Sequence, residues 1–290
     1  MSLSLFLPVL LSAAVAMLVA AVHRRLPPVA AARATAASVV VVAVAAIPTV
    51  WIVALGYLAH VPFLEGHLDW CVEAFGVHDP IAPWIGVPAA ILAIAGLVRA
   101  RQVLSTYRRL RHDHRGGIEV ADHDDLFAVT LPGKGGHVVI SSALDATLSP
   151  DERRVVLAHE QAHGQHRHDR YLLSAQVAAA LLPVLRPLVS RLQFALERWA
   201  DEHAVAQVGD RSFVARTLGL VALRSSSPTG ALAFAGLGVP ARMEALMAPP
   251  VRPLQSHSNA ALSGAILLSA VLAVFQLHHL LGMLTALCPG

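Results

Sequence analysis

The chain has 290 residues, of which 56 % are hydrophobic and 14 % charged, with a mean hydropathy of +0.59. A soluble globular chain carries about 25 % charged residues, so that class is excluded. The formal net charge of +3 is small, and no basic–aromatic alternation marks a nucleic-acid surface.

Four long apolar runs stand out, at 3–22, 36–59, 81–98 and 260–287. Each is close to or above the roughly 18–20 residues that span a bilayer. No basic stretch precedes the first run and Arg24-Arg25 follow it, so it reads as a retained helix rather than a signal peptide. Arginine placement then sets the expected orientation. The first link carries Arg24, Arg25 and Arg33, whereas 61–80 has no Lys or Arg and holds Glu65, Asp69, Glu73 and Asp79. After the third run come Arg99, Arg101, Arg108, Arg109, Arg111 and Arg115, and Arg252 precedes the fourth. The positive-inside rule puts both termini outside and the long middle region in the cytoplasm of a multi-pass plasma-membrane protein. The basic 99–115 segment reads as a juxtamembrane helix touching anionic lipid.

Cys71 and Cys288 both fall on the expected outer side, which leaves their pairing open. No cysteine lies in the middle region, so thiol catalysis and cysteine-ligated metal are excluded there. Within that region, 126–131 and 137–141 read as two strands around the turn Pro132-Gly133-Lys134-Gly135-Gly136.

A strong helix signal follows. Ser149-Pro150-Asp151-Glu152 has the form of an N-cap, a proline at N1 and a capping-box glutamate at N3. On that helix lies His159-Glu160-Gln161-Ala162-His163, an H-E-x-x-H motif. Residues at i and i+4 are about 5–6 Å apart on one face, which lets two imidazoles reach one metal ion with bonds of roughly 2.0–2.1 Å. Glu160, between them, has the place of a general base. A structural site or a solvated surface helix has no use for it.

A third protein ligand is expected downstream. Glu197-Arg198-Trp199-Ala200-Asp201 lies on a second helix, from about 191 to 208, with Glu197 and Asp201 one turn apart. Glu197 reads as the third ligand, and Asp201 as the acceptor for the other ring nitrogen of a ligand histidine. The rival third ligand is Asp169, ten residues after His159. It lacks the glycine turn, because His166 stands where that glycine is needed. His166 and His168 read as polar-face or supporting residues, and His203 lies on another face. The apolar stretch 171–189 cannot cross the membrane without separating His159/His163 from Glu197 by a core about 30 Å thick. Pro183, Arg186 and Pro187 also interrupt it, so a buried or interfacial helical hairpin is expected. The His278-His279 pair reads as interior or interfacial packing of the last span.

Taken together, H159-E-Q-A-H163, Arg167-His168-Asp169 and E197-R-W-A-D201 resemble the membrane-embedded gluzincin peptidases. That group includes CAAX prenyl proteases, heat-shock membrane proteases and the sensor-transducer proteases that control beta-lactam resistance. The resemblance covers 149–204 and implies a β-hairpin before the motif helix, offering an edge to extended substrate. It also implies one Zn2+ per chain, held by His159, His163 and Glu197. Glu160 would then be the catalytic base in peptide hydrolysis, with Asp201 supporting a ligand. His203, Arg242 and the hairpin are the candidate oxyanion donors.

The expected span count and topology favour the sensor-transducer type. The only lysine, Lys134, has Leu131 three residues before it, so no S-x-x-K acylation motif is present. The fold class read here is mainly α: a polytopic membrane protein with a cytoplasmic gluzincin-type peptidase domain, helical with a short β-hairpin. Its expected layout is three transmembrane helices in 1–98, the zinc domain in 99–255, and a final span with a short tail in 256–290. The expected partners are membrane lipids and a protein or peptide substrate, with no nucleic acid. The expected activity is a zinc metalloendopeptidase at the cytoplasmic face, in repressor cleavage or membrane-protein quality control. The alternative is a zinc-dependent signalling scaffold without turnover.

Overall fold

The computed structural model describes residues 7–64, 81–111, 117–133, 136–224, 238–249 and 256–286. Cys71, Cys288, the acidic residues of 61–80, Lys134, Gly135 and the loops at 225–228 and 250–253 lie outside them.

Three apolar helices come first: α1 (Leu7–Val22), α2 (Pro28–Leu58) and α3 (Pro83–Leu110). With the 3-10 turn His23–Arg25 continuing α1, all three are long and apolar enough to cross a membrane. α2 begins eight residues before the expected run, because Pro27 and Pro28 set its first turn. Its 31 residues make it about 46 Å long, against a hydrocarbon core of about 30 Å. α3 runs unbroken through the expected boundary at 98/99, so the third apolar run and the basic stretch after it form one helix.

A three-stranded sheet follows, β1 (Gly117–Ala121), β2 (Ala128–Leu131) and β3 (His137–Ser141), in the order β1-β3-β2. β2 and β3 are the expected hairpin, antiparallel with Ala128 opposite Ile140 and Leu131 opposite His137. β1 pairs with β3 in parallel, a long-range pairing that no local turn signal announces. The single-turn α4 (Ser142–Thr147) leads into α5 (Pro150–Gln165). At the start of α5 the capping box is formed. The Ser149 hydroxyl accepts the Glu152 N–H at 3.3 Å, and the Glu152 carboxylate accepts the Ser149 N–H at 2.9 Å.

The stretch 171–189 is a helical hairpin. α6 (His168–Leu181) ends at a 3-10 turn, Pro183–Leu185, and α7 (Arg186–Val208) returns. Two contacts set α6 against α3. Tyr107 Oη donates to Asp169 Oδ2 at 2.7 Å, and a Cβ on Gly96 would stand 3.1 Å from Leu181 Cα. From Tyr107 back to Gly96 is eleven residues, about 16 Å of helix, so α6 runs antiparallel to α3 over that distance. α8 (Arg211–Arg224), α9 (Val239–Met247) and α10 (Ser256–Ala286) complete the chain. α10 packs on α1 and α2, and within it Ala260–Phe275 is a shorter apolar helical stretch.

Two cores meet on α7. On one side Leu192, Ala195 and Leu196 pack with Ala31, Val39 and Val42 of α2 and Ala175 and Ala178 of α6. On the other, Ala204 joins Val155 and Ala158 of α5, Val214 and Leu218 of α8 and Leu246 of α9. Each leucine buried this fully contributes on the order of 2 kcal/mol. α7 is thereby fixed between the apolar helices and the motif helix.

The turn of the hairpin rests on the last turn of α5 through two glycines. A Cβ on Gly164 would meet Gly136 Cα at 2.5 Å, and Gly136 itself has φ +60. Both obstacles are backbone, so no side-chain rotation relieves them. Gly164→Ala is expected to destabilise the protein by about 1–3 kcal/mol, measured as a lowered thermal midpoint in detergent. An unchanged midpoint would show that the hairpin is not seated on α5 in this way.

Candidate metal centre

α5 and α7 cross so that two i, i+4 pairs face each other: His159 and His163 from one helix, Glu197 and Asp201 from the other. His159 Nε2 and His163 Nε2 stand 3.3 Å apart. Glu197 Oε2 is 3.5 Å from the first ring nitrogen, and its Oε1 is 3.5 Å from the second. Among the described residues this is the group of His, Cys, Asp or Glu side chains that converges as a metal site does.

The spacing can be tested against an ion. Ligands placed tetrahedrally at about 2.0–2.1 Å from zinc lie about 3.3–3.4 Å from one another. The two ring nitrogens here hold that spacing, and Glu197 approaches each of them to 3.5 Å through a different oxygen. Two bare imidazole lone pairs repel at 3.3 Å, so a proton or a cation belongs between them. Two imidazoles and a carboxylate suit zinc or a similar borderline cation. The formal charge agrees: Glu160, Glu197 and Asp201 against Arg242 leave −2, which a divalent cation neutralises.

The surrounding groups fix each ligand. His159 Nδ1 lies 3.1 Å from Asp201 Oδ1, which turns Nε2 toward the centre. Burial disfavours charge on His159, but Asp201 and Glu197 outweigh it and push its pKa up to about 10. Glu197 is held well below the usual carboxylate range: burial opposes this, and Arg242 with the two histidines prevails. Arg242, on α9, donates from Nε and Nη2 to the two Asp201 oxygens at 2.9 and 2.6 Å. Its Nη1 stands 2.7 Å from Glu197 Oε2. Each of its nitrogens thus faces a carboxylate, which holds the guanidinium against Asp201 and Glu197.

His163 has a different partner. Its Nδ1 is 3.0 Å from His168 Nδ1, and His168 is 2 % exposed. Burial lowers the pKa of His168 to about 2 and also lowers that of His163. Both rings are therefore neutral, and one proton lies between the facing Nδ1 atoms. If that proton sits on His163, its Nε2 is free for the centre and His168 accepts. Residues at i and i+5 do not share a helical face. The contact exists because Arg167 adopts φ 54 and reverses the chain between α5 and α6, at a cost of about 1 kcal/mol for a non-glycine residue.

The remaining expected residues are distributed as follows. Glu160 sits beside β2, with Thr130 Oγ1 2.8 Å from its Oε2 and 2.6 Å from its carbonyl oxygen. Asp169 accepts the Tyr107 phenol and stands outside the converging group. His166 stacks on Trp199 with ring centroids 4.7 Å apart, and His203 meets His166 edge-on at 5.4 Å. In the charge run on α7, Arg198 is buried and reaches the Arg24 carbonyl at 3.5 Å. Glu202 pairs with Arg211. The run is thus divided between the centre and two structural contacts, rather than solvated.

Residues 100–226 match the family model described as Peptidase family M48. The match supports a metallopeptidase over the stretch that contains the hairpin, the motif helix and α7. No curated protein and no solved structure matches the chain.

Two outcomes follow from these contacts. His168→Ala is expected to lower metal affinity by about 10–100-fold, read by competition with a chromophoric chelator, with helicity unchanged by circular dichroism. Equal affinities would show that His168 does not hold His163. Arg242→Leu leaves the buried Asp201 and the partly buried Glu197 without their cation and is expected to destabilise the metal-free protein by about 3–5 kcal/mol. Thermal unfolding with and without metal checks this, and the loss should shrink when metal is added.

Proposed function

We propose that the chain is an integral-membrane zinc metalloendopeptidase that hydrolyses peptide bonds of a protein substrate at the cytoplasmic face of the plasma membrane. The observation that carries the reading is the convergence of His159, His163 and Glu197, the ring nitrogens 3.3 Å apart and each 3.5 Å from one of the two Glu197 oxygens, with Glu160 next to the first of them. Zinc held by these three residues would polarise a scissile carbonyl and activate water beside it. Glu160 takes the proton of the attacking water and delivers it to the leaving amine. Thr130 fixes Glu160 from β2, using one hydroxyl proton for either the carboxylate or the backbone carbonyl. Asp201 and His168 orient the two imidazoles, and Arg242 keeps Glu197 and Asp201 ionised. The outer edge of β2 is open to an extended peptide.

The arginine distribution supports a cytoplasmic centre with both termini outside. α10 supports a fourth crossing, since Leu267, Leu268, Val271, Val274 and Phe275 are exposed along it. In this arrangement the α6–α7 hairpin enters the membrane beside α3 and turns back about halfway. At its tip Val184 is 79 % exposed, a position suited to lipid. The hairpin returns α7 to the side it left, which brings Glu197 back to His159. Cleavage of a cytoplasmic repressor is the signalling role that the expected topology favours.

Glu160→Gln is the decisive variant. It should lower hydrolysis of a casein or peptide substrate by about 10²–10⁴-fold while the metal content, measured by mass spectrometry, stays at one per chain. Full hydrolysis by this variant would rule out the peptidase mechanism.

A further inference from the structure

A second concavity lies away from the metal centre, among α2, α3, α6 and α10. Its volume is about 530 Å³, and its walls are almost wholly apolar: Val44 and Ile47 of α2, Leu104 of α3, Leu173 and Val177 of α6, and Leu277 of α10. One charged residue lines it, Arg170 in the first turn of α6. We infer that this groove is a binding site for one anionic phospholipid, an acyl chain lying between the helices and the phosphate at Arg170. The inference rests on the membrane placement proposed above.

Three observations select this occupant. The groove is bounded by three long helices, α2, α3 and α10, together with α6, so in the proposed placement the molecules that reach it are lipids or membrane helices. A volume of 530 Å³ is that of a site for a single small amphiphile, which run from about 300 to 1,000 Å³. Finally, the charge is at one end only. Arg170 is exposed and follows Asp169, which accepts the Tyr107 phenol one turn beyond Leu104. A guanidinium at one end of an apolar slot matches a phosphate on a hydrocarbon chain.

The site also borders the centre without belonging to it. Arg170 follows His168 by two residues on α6, and Tyr107 holds Asp169 between them. A lipid seated here presses on the helix whose first residue supports His163.

Full-length protein is tested in two stages. Alkaline carbonate extraction comes first, and release from the membrane would overturn the placement and this inference together. Protein that stays in the membrane is purified in detergent and mixed with equal dioleoyl phosphatidylglycerol and dioleoyl phosphatidylcholine. Native mass spectrometry should then show one retained phosphatidylglycerol per chain, preferred about fivefold or more over phosphatidylcholine. Arg170→Gln should bring the two lipids to near parity, and Val177→Trp should abolish retention of both. Because Val177→Trp can disturb packing, Val44→Phe is run beside it, and each variant's thermal midpoint is recorded. Loss of lipid in a variant that unfolds like the native protein supports the site. A native chain that retains no phosphatidylglycerol, or one whose preference is unchanged by Arg170→Gln, overturns it. The Glu160→Gln protein should retain lipid as the native chain does, so failure of the peptidase reading leaves this result independent.

Discussion

The crossing of α5 and α7 sets two imidazoles against two carboxylates, and neither pair is stable there alone. Two Nε2 atoms held at 3.3 Å need a proton or a cation between them, and two carboxylates one helical turn apart, beside a third on Glu160, repel in a region of low dielectric. Arg242 resolves part of the conflict by lying across Glu197 and Asp201. What is left is a group of side chains able to hold a metal ion. In the proposed metallopeptidase, metal binding would be coupled to folding, because an ion at this position would relieve the remaining repulsion.

That tension is tolerable because α7 is held independently. Leu192, Ala195 and Leu196 lock its first half onto α2, and Ala204 locks its second half onto α5, α8 and α9. Arg33 of α2 adds a contact over the Trp199 ring at 5.7 Å, and Trp199 in turn carries His166. The apolar helices are thus more than an anchor. The first turns of α2 form one wall of the core that positions Glu197, so the two expected regions, spans and peptidase domain, share a hydrophobic core.

The parts of this arrangement legible in the sequence were those governed by short-range rules. The capping box at Ser149–Glu152, the i, i+4 spacing of His159/His163 and of Glu197/Asp201, and the hairpin around Gly-rich 132–136 are each local patterns. The proline breaks at 183 and 187 likewise located the turn of the α6–α7 hairpin. Contacts that depend on chain reversal were not legible. His168 reaches His163 only because Arg167 takes a left-handed conformation. Arg242 lies forty-one residues beyond Asp201 with no spacing to tie them. β1 joins the sheet in parallel across fifteen residues of intervening chain. The start of α2 also lay beyond a hydropathy pattern, since Pro27 and Pro28 set its first turn ahead of the apolar run.

In the membrane placement proposed above, depth accounts for the form of the hairpin between α5 and α7. A connection that stayed at the surface would leave the apolar faces of α6 exposed, whereas one that crossed would carry Glu197 to the wrong side. Turning back about 16 Å along α3 satisfies both demands, and the local structure pairs or removes several of the turn's backbone donors. The Leu182 N–H is accepted by Ala178 at 2.8 Å and the Leu185 N–H by Leu182 at 3.0 Å, while Pro183 and Pro187 have no N–H to satisfy. Close approach at Gly96, where a side chain would meet the Leu181 backbone, seats the end of α6 directly on α3. The two prolines that break the apolar stretch are thus also what makes its reversal possible in a medium that offers no water to unpaired amides.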